Sequence, residues 1–232
     1  MNVIWGSQQP LDILAIAPHP DDAEIGAGGT LIKAAQSGKH VGIIELTAGE
    51  MGTLGTPEER LAETREAARI MGLTFRGNLG LADGYLDTAE PSARSLAAAF
   101  RILRPQKVLL PHPNDRHPDH IASFHLGKRA IHFAGLSKAP VEHTPIRIQN
   151  VLCYQGNAPI DADCLVDVSA QIPIWEQSVM AHRSQFSGAA VSETVTPHIL
   201  ERRKARMKYW GTFVGVDYAE AFWSELPILM DF

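Results

Sequence analysis

The feature that most constrains the fold of this chain is a strand–helix–strand alternation near its start. Residues 11–17 form a short apolar run that ends at Pro18 and is typical of a strand buried on both faces. Small and apolar residues at helical spacing follow over residues 23–36, Gly38 marks a stop, and residues 41–46 form a second apolar run. This order favours parallel pairing. We therefore predict an α/β fold with a mostly parallel, Rossmann-like sheet flanked by helices.

The alternation continues along the chain. Further strands are predicted at residues 75–79, 107–110, 151–154 and 165–168, and further helices at residues 57–71, 92–103, 119–133, 172–182 and 197–209. The first of these helices has Thr56 as N-cap, Pro57 at its first position and Glu59 to complete a capping box. No repeat or linker divides the 232 residues, so we predict a single domain over residues 1–232.

Composition excludes several classes of protein. With 21 Lys and Arg against 26 Asp and Glu, the net charge is −5, and no basic cluster carries interleaved aromatics, so nucleic acid is not an expected partner. The two cysteines, Cys153 and Cys164, are too few for a disulfide framework or a cysteine-rich zinc site. The start of the chain lacks a signal-peptide pattern, and no apolar run approaches the ~20 residues of a membrane helix. We expect a cytoplasmic protein with no membrane partner.

The first chemical motif directly follows the first predicted strand. Residues 18–24 read Pro-His-Pro-Asp-Asp-Ala-Glu, and the turn after the strand can aim His19 and Asp22 at one point while Asp21 projects differently. Two neighbouring carboxylates repel each other, so one pKa rises or a cation binds between them. The alternative is that one aspartate only caps the following helix.

The second motif directly follows the strand predicted at residues 107–110. Residues 115–120 read Asp-Arg-His-Pro-Asp-His, which sets His117 and His120 three residues apart on one side of a helical turn, with Asp119 able to orient a ring. The alternative for this motif is a polar loop with a helix cap. Because sites in open α/β sheets lie at the carboxyl ends of strands, both motifs belong to the same edge. Two histidines and a carboxylate suit zinc or a similar divalent ion, which leaves a second carboxylate and a third histidine for acid–base chemistry.

Two glycine-rich stretches do not match a nucleotide site. Residues 26–30 lack the spacing of a dinucleotide fingerprint and have no phosphate-loop lysine, so we interpret them as close helix-on-sheet packing. Residues 49–55 are predicted to form a lid or a wall of the pocket. No Gly-x-Ser-x-Gly elbow is present, and Cys153 in a predicted strand is expected to be a core residue rather than a nucleophile.

The two motifs together closely resemble the PIG-L/LmbE family of zinc-dependent N-deacetylases. Further matching segments lie at residues 46–52, 78–84, 184–186 and 215–220, so that the likeness covers most of the chain. These segments resemble the bacillithiol-biosynthesis branch, whose members remove acetate from N-acetylglucosaminyl-L-malate. Deacetylation of another N-acetyl sugar is the alternative in the same class: a chitin disaccharide, an inositol conjugate or an antibiotic intermediate. A non-catalytic metal-binding carbohydrate module is the alternative outside it.

The resemblance also implies roles for individual residues. It implies that His19, Asp22 and His120 bind Zn²⁺, or another divalent transition metal, and that Asp21 is the general base. His117, oriented by Asp119 and favoured as imidazolium, would stabilise the oxyanion. Arg60 and Asp83 are the matching substrate-binding positions, although Arg60 could instead pair with Glu63 or Glu66 on its own helix.

One departure from the family pattern concerns the late helix. Related deacetylases often place an assisting tyrosine near its start, whereas residues 194–199 of this chain read Thr-Val-Thr-Pro-His-Ile, which makes His198 a candidate substitute. The resemblance further implies a homo-oligomer, with hexamers among the family's forms. The aromatic segment over residues 218–232 suits either such an interface or a final buried strand.

Overall fold

The computed structural model describes residues 1–186 and 198–228. Within these ranges one sheet is flanked by α-helices on both faces. The strands are β1 (Asn2–Gly6), β2 (Ile13–Ala17), β3 (Val41–Glu45), β4 (Phe75–Asn78), β5 (Lys107–Pro111), β6 (Asn150–Tyr154), β7 (Cys164–Asp167) and β8 (Ala219–Trp223). The helices are α1 (Asp22–Gln36), α2 (Pro57–Met71), α3 (Glu90–Leu103), α4 (Pro118–Gly135), α5 (Ile172–Met180) and α6 (Ile199–Val214).

The sheet is mostly parallel, as predicted. Its eight strands have the order β1-β4-β3-β2-β5-β6-β8-β7. The five strands from β4 to β6 pair in parallel. At one edge β1 pairs antiparallel with β4, and at the other β8 lies antiparallel between β6 and β7. The Rossmann-like α/β prediction is confirmed, whereas a single domain over residues 1–232 stays a prediction.

Two strands of the sheet were not placed by the sequence. Strand β1 is a half-exposed edge strand whose register shifts between Val3 and Trp5, so it shows neither an apolar run nor clean alternation. Strand β8 realises the buried-strand alternative for the segment over residues 218–232, because residues 219–222 are all buried. Residues 229–232 of that segment lie outside the described residues.

The central strands are apolar on both sides because each face of the sheet has its own core. In β2, Ile13 and Ala15 belong to one cluster of buried side chains, and Leu14 and Ile16 belong to the other. The first cluster includes residues of α1, α5 and α6, and the second includes residues of α3 and α4. A strand covered by helices on both faces has no side that can be polar, which explains the unbroken run.

The helix boundaries follow local capping chemistry. The capping box of α2 is formed as predicted: the Glu59 amide donates to Thr56 Oγ1 at 3.2 Å, and the Thr56 amide donates to Glu59 Oε2 at 2.8 Å. Helix α6 runs to Val214, beyond the predicted end at residue 209, because the helix continues through Gly211 and ends at Gly215, whose φ of 73° gives a left-handed C-cap. The predicted first residue of that helix, Pro197, lies outside the described residues.

Glycines let α1 approach its neighbours closely. A Cβ atom at Gly26 would lie 2.3 Å from Tyr154 Cδ2 in β6, and one at Gly28 would lie 2.8 Å from Trp175 Cδ1 in α5. The prediction that this stretch serves packing rather than phosphate binding agrees with these contacts. None of the described helices is long and apolar enough to cross a membrane.

The topology brings the two motifs together. Strand β2 pairs with β3 on one side and with β5 on the other, so the order of the parallel strands reverses between β2 and β5. The first motif leaves the carboxyl end of β2, and the second leaves the carboxyl end of β5. In doubly wound sheets the loops at this switch point diverge and open a crevice.

Candidate metal centre

Three side chains from the two motifs converge in this crevice. His19 Nδ1 lies 3.0 Å from Asp22 Oδ2, and His120 Nε2 lies 3.2 Å from Asp22 Oδ1. One ligand atom from each of His19, Asp22 and His120 lies within 4.8 Å of the other two. Two imidazoles and one carboxylate form a donor set suited to zinc and similar transition metals, and this set leaves a fourth position open. The predicted ligands therefore come together in space.

A second group with ligand-like spacing shares one of these histidines. His19, His117 and Asp119 also offer ligand atoms within 4.8 Å of one another, and the rings of His19 and His117 are 4.9 Å apart. Asp83 approaches as well, with its Oδ1 3.0 Å from His19 Nε2. The carboxylates of Asp22, Asp83 and Asp119 thus all lie 3.0–3.2 Å from the His19 ring, an arrangement that favours a bound cation.

Asp21 does not act as a simple helix cap. It occupies the N-cap position of α1, but its side chain makes no capping hydrogen bond, and its φ of 99° is rare for a residue other than glycine. Burial, reinforced by the neighbouring carboxylate of Asp22, raises the pKa of Asp21 to about 7, although His182 and Arg60 oppose the shift. A strained backbone that presents a buried carboxyl with a raised pKa is typical of functional positions.

The expected contact between Asp119 and His117 is not formed. The Nδ1 of His117 accepts the backbone N–H of Asp119 at 3.2 Å, so this ring caps α4. The Asp119 carboxylate instead lies 3.2 Å from His19 Nε2 and accepts the Gly84 amide at 2.8 Å. Burial lowers the pKa of His117, and His19 and His120 lower it further. The prediction that the Asp119 carboxylate orients the His117 ring is therefore wrong.

The two predicted substrate-binding residues line the same cavity. This cavity has a volume of about 950 Å³, and Arg60 and Asp83 contribute to its wall. The Arg60 guanidinium donates to the carbonyl oxygens of Gly49 and Pro20. The alternative partners on its own helix are engaged elsewhere, because Glu63 accepts from Ser184 and Glu66 accepts from Arg69. Residues 49 and 51–53 line the cavity, so the glycine-rich loop is a pocket wall, one of its two predicted roles.

A buried charge network lies behind the crevice. The Arg76 guanidinium donates to Glu24 Oε1 at 2.6 Å and to Glu45 Oε1 at 2.7 Å, and His182 Nε2 lies 2.8 Å from the same Glu24 oxygen. Burial alone would raise the pKa of Glu24, but Arg76 and His182 lower it to about 2. Arg76 and His182 were not predicted to have a role, because no local sequence pattern identifies a residue that only the tertiary fold buries.

Three other residues at the crevice were also missed. Asp115 contacts His120, and its place in the second motif was the only available signal. Arg116 and Arg203 line the cavity from the turn before α4 and from α6. Isolated arginines in a helix or loop carry no pattern that separates them from surface charges.

The candidate substitute for the tyrosine lies away from these groups. His198 is exposed at the start of α6, and its Nδ1 lies 3.3 Å from Glu201 Oε2. Thr194 to Pro197 of the same stretch lie outside the described residues. Cys153, by contrast, is buried in the sheet as predicted, and burial raises the pKa of its thiol to about 12.

Comparison with known proteins places this geometry in a family. Residues 14–131 match the PIG-L family, described as GlcNAc-PI de-N-acetylase. A diacetylchitobiose deacetylase of Thermococcus kodakarensis is 33% identical over 223 residues, which cover 90% of this chain and 80% of that protein. A probable N-acetyl-α-D-glucosaminyl L-malate deacetylase 2 of Bacillus cereus is 26% identical over 210 residues, which cover 85% of this chain and 93% of that protein.

A solved structure agrees over nearly the whole chain. A conserved protein of Thermus thermophilus is 51% identical and superposes with a TM-score of 0.90, covering 95% of this chain and 97% of that one. The predictions of the family and of a hydrolase of the deacetylase class are confirmed. The chain belongs to the PIG-L family of de-N-acetylases.

Proposed function

We propose that this protein is a zinc-dependent hydrolase that removes the N-acetyl group from an N-acetylglucosamine conjugate, giving a free amine and acetate. The observation that carries the proposal is the position of Asp21. It is a buried carboxyl with a pKa of about 7, adjacent in sequence to one member of a three-donor group. A structural metal site does not need such a group, whereas a general base must titrate near the working pH.

The chain's own residues supply binding and proton transfer. His19, Asp22 and His120 would hold Zn²⁺, although their donor atoms suit other divalent transition metals as well. When bound, the metal supplies a Lewis acid that polarises the acetamide carbonyl and lowers the pKa of water to roughly 7. Asp21 accepts a proton from the attacking water and can return it to the departing amine.

His117 acts in this proposal as a neutral hydrogen-bond donor. Its Nδ1 accepts the Asp119 amide, so the proton of the neutral ring resides on Nε2. That N–H can stabilise the oxyanion of the tetrahedral intermediate, and burial, which lowers the pKa of the ring, favours the neutral form. Asp119 positions His19 rather than His117, because its carboxylate lies 3.2 Å from His19 Nε2.

The cavity lining supports an acidic aglycone. Arg116 is exposed at its wall, and arginine is the natural partner of carboxylates, whereas Arg60 and Arg203 are buried and donate to backbone carbonyls. N-acetylglucosaminyl-L-malate of bacillithiol biosynthesis therefore remains the preferred substrate, in keeping with the Bacillus cereus relative. The Thermococcus kodakarensis relative supports a chitin disaccharide as the second candidate. Asp83 and Arg60 would contact the sugar hydroxyls in both cases.

An Asp21→Asn variant tests the central role. We expect deacetylation to fall by about 10²–10⁴-fold, because the amide cannot accept the proton, while zinc content stays at the wild-type level. Exposed Asp217→Asn is the matched control and should retain full activity. Full turnover by the Asp21→Asn protein, or by wild-type protein freed of metal, would contradict the mechanism. A zinc-loaded wild-type protein without turnover on any N-acetyl sugar would favour the carbohydrate-binding alternative.

Metal retention separates the two donor groups. His120→Ala should lose bound zinc, whereas His117→Ala should keep it, because only the first belongs to the proposed set. Elemental analysis after dialysis measures both. The reverse result would assign the metal to His19, His117 and Asp119.

A pair of substrates tests the aglycone. We expect Arg116→Met to raise the KM for the malate conjugate and to leave the KM for diacetylchitobiose unchanged, because only the malate conjugate carries carboxylates. Arg202→Met, an exposed change on α6, is the control. An equal effect on both substrates would exclude recognition of the acid by Arg116.

A further inference from the structure

Asp115 is a buried carboxylate that contacts a proposed metal ligand from behind. It follows β5 and is 8% exposed. Its Oδ2 lies 3.2 Å from Nδ1 of His120, and its Oδ1 accepts the His117 amide at 2.9 Å. The other ring nitrogen of His120, Nε2, lies 3.2 Å from Asp22 Oδ1 and so points to the donor group. Asp115 therefore sits on the side of the ring opposite the proposed metal.

The loop after β6 holds this carboxylate in place. The Asn157 amide donates to Asp115 Oδ2 at 2.6 Å, and Asn157 Nδ2 donates to Oδ1 at 3.2 Å. Gly156 leaves room for the carboxylate, because a Cβ atom there would lie 2.1 Å from Asp115 Oδ2 and 3.3 Å from His120 Nδ1. Any larger residue at position 156 must displace Asp115 or the ring.

Helix α6 in turn fixes the loop. Arg203 Nη1 donates to the Gln155 carbonyl at 3.0 Å. Arg206 donates to the next two carbonyls, those of Gly156 and Asn157, each also at 3.0 Å. Three consecutive carbonyl oxygens are thus held by two guanidinium groups. This contact path runs from α6 through the loop to Asp115 and ends at His120.

The contact between Asp115 and His120 is close to a hydrogen bond but does not have its full geometry. Nδ1 of His120 is fully buried, and among the described residues it has no partner that meets full hydrogen-bond geometry, even though Asp115 Oδ2 is at 3.2 Å. A histidine that ligates through Nε2 must carry its proton on Nδ1 and needs an acceptor there. Asp115 Oδ2, 3.2 Å away, is positioned to be that acceptor.

We propose that Asp115 is a positioning residue, held by the loop at residues 155–157, that fixes the ring of His120 with Nε2 toward the metal. This inference rests on the proposed function, because it takes His120 to be a ligand. It adds that Gly156 is required for steric reasons and that Arg206 supports the site through its bonds to the loop carbonyls.

Zinc affinity of the apo protein, measured by competition with a chromophoric chelator, tests the inference without using turnover. We expect Asp115→Ala to weaken zinc binding by about 10–100-fold, the usual effect of losing such a partner. Gly156→Ala should weaken it as well, although it removes no functional group. Gly135→Ala is the matched control, because a Cβ atom there would have no neighbour nearer than 3.6 Å, and it should bind zinc as the wild type does.

A spectroscopic readout separates positioning from general damage. In ¹⁵N-labelled, zinc-loaded wild-type protein, we expect the His120 proton on Nδ1, and we expect exchange broadening of that signal in both variants. Circular dichroism identifies any variant that fails to fold. If Asp115→Ala does not fold, the zinc affinity and the Nδ1 signal of Gly156→Ala decide the test.

The two proposals fail in different ways. Unchanged zinc affinity and an unchanged Nδ1 signal in folded Asp115→Ala and Gly156→Ala proteins would overturn the positioning role and leave the deacetylase proposal intact. A wild-type protein that deacetylates without binding zinc would overturn both.

Discussion

The geometry of the buried Arg76 network predicts how much stability the protein loses when Arg76 is replaced. The side chains of Arg76 and Glu24 are 0% exposed and that of Glu45 is 1% exposed, so Arg76→Met leaves two carboxylates facing an apolar side chain without their cation. Removing one partner of a buried ion pair typically costs about 3–5 kcal/mol. For a chain of this size, that loss lowers the unfolding midpoint by roughly 6–20 °C.

The matched control is the same substitution at an exposed pair. Arg69 bonds Glu66 at 2.6 Å, but their side chains are 60% and 42% exposed, so Arg69→Met should leave the midpoint within experimental error. Adding Glu24→Gln and Glu45→Gln to Arg76→Met should raise the unfolding midpoint part of the way back, because the destabilisation comes from the uncompensated charge of the two glutamates. Equal midpoints for Arg76→Met and Arg69→Met would refute this reasoning.

The pH dependence of the stability lost in Arg76→Met provides an independent check. The pKa of Glu24 falls from 4.5 to about 2 in the folded protein, so the network stabilises the fold above pH 4.5, and this stabilisation declines as the pH falls toward 2. In urea unfolding, the difference in stability between wild type and Arg76→Met should narrow as the pH falls, and the narrowing should begin above pH 4.5, because burial raises the pKa of Glu24 once Arg76 no longer opposes it. A gap that widens in acid would contradict the assignment.

Two further predictions concern packing and capping, and thermal unfolding monitored by circular dichroism measures both. Gly26→Ala should destabilise the protein by about 1–3 kcal/mol, because its Cβ would lie 2.3 Å from the Tyr154 ring, whereas Gly135→Ala should not destabilise it; equal midpoints for the two variants would contradict the packing argument. Thr56→Ala should cost about 1 kcal/mol by removing the capping box of α2, and an unchanged midpoint would show that α2 does not depend on its cap.

Sequence alone located the site because both motifs are tied to buried parallel strands. His19 follows β2 and His120 follows β5, and adjacent parallel strands end at the same edge of the sheet. Residues about 100 positions apart in sequence thereby become neighbours without any knowledge of side-chain orientation. Periodicity places the two motifs at one edge of the sheet, whereas the ligand set of His19, Asp22 and His120 is what the family resemblance implies.

Sequence failed where the outcome depends on orientation within one turn. Asp119 was expected to support His117, but that ring accepts the Asp119 amide as a helix cap, and the carboxylate turns toward His19. Spacing shows that two residues can meet, but it does not show which of their groups do so. Asp115 shares the second motif with His120, but its role was missed because the loop that holds it, at Asn157, is distant in sequence and is itself held by a helix that begins at residue 199.

The two acids at the start of α1 show how the fold assigns different chemistry to similar side chains. Asp21 and Glu24 are both buried and lie three residues apart, and burial by itself would raise the pKa of each. The negative charge of Glu24 is compensated by direct contact with Arg76 at 2.6 Å and His182 at 2.8 Å, and its pKa falls to about 2. Asp21 is instead next to a like charge, Asp22, and its pKa rises to about 7. Of these two acids only Asp21 therefore has a pKa near neutral pH, which is what the base role proposed for it requires.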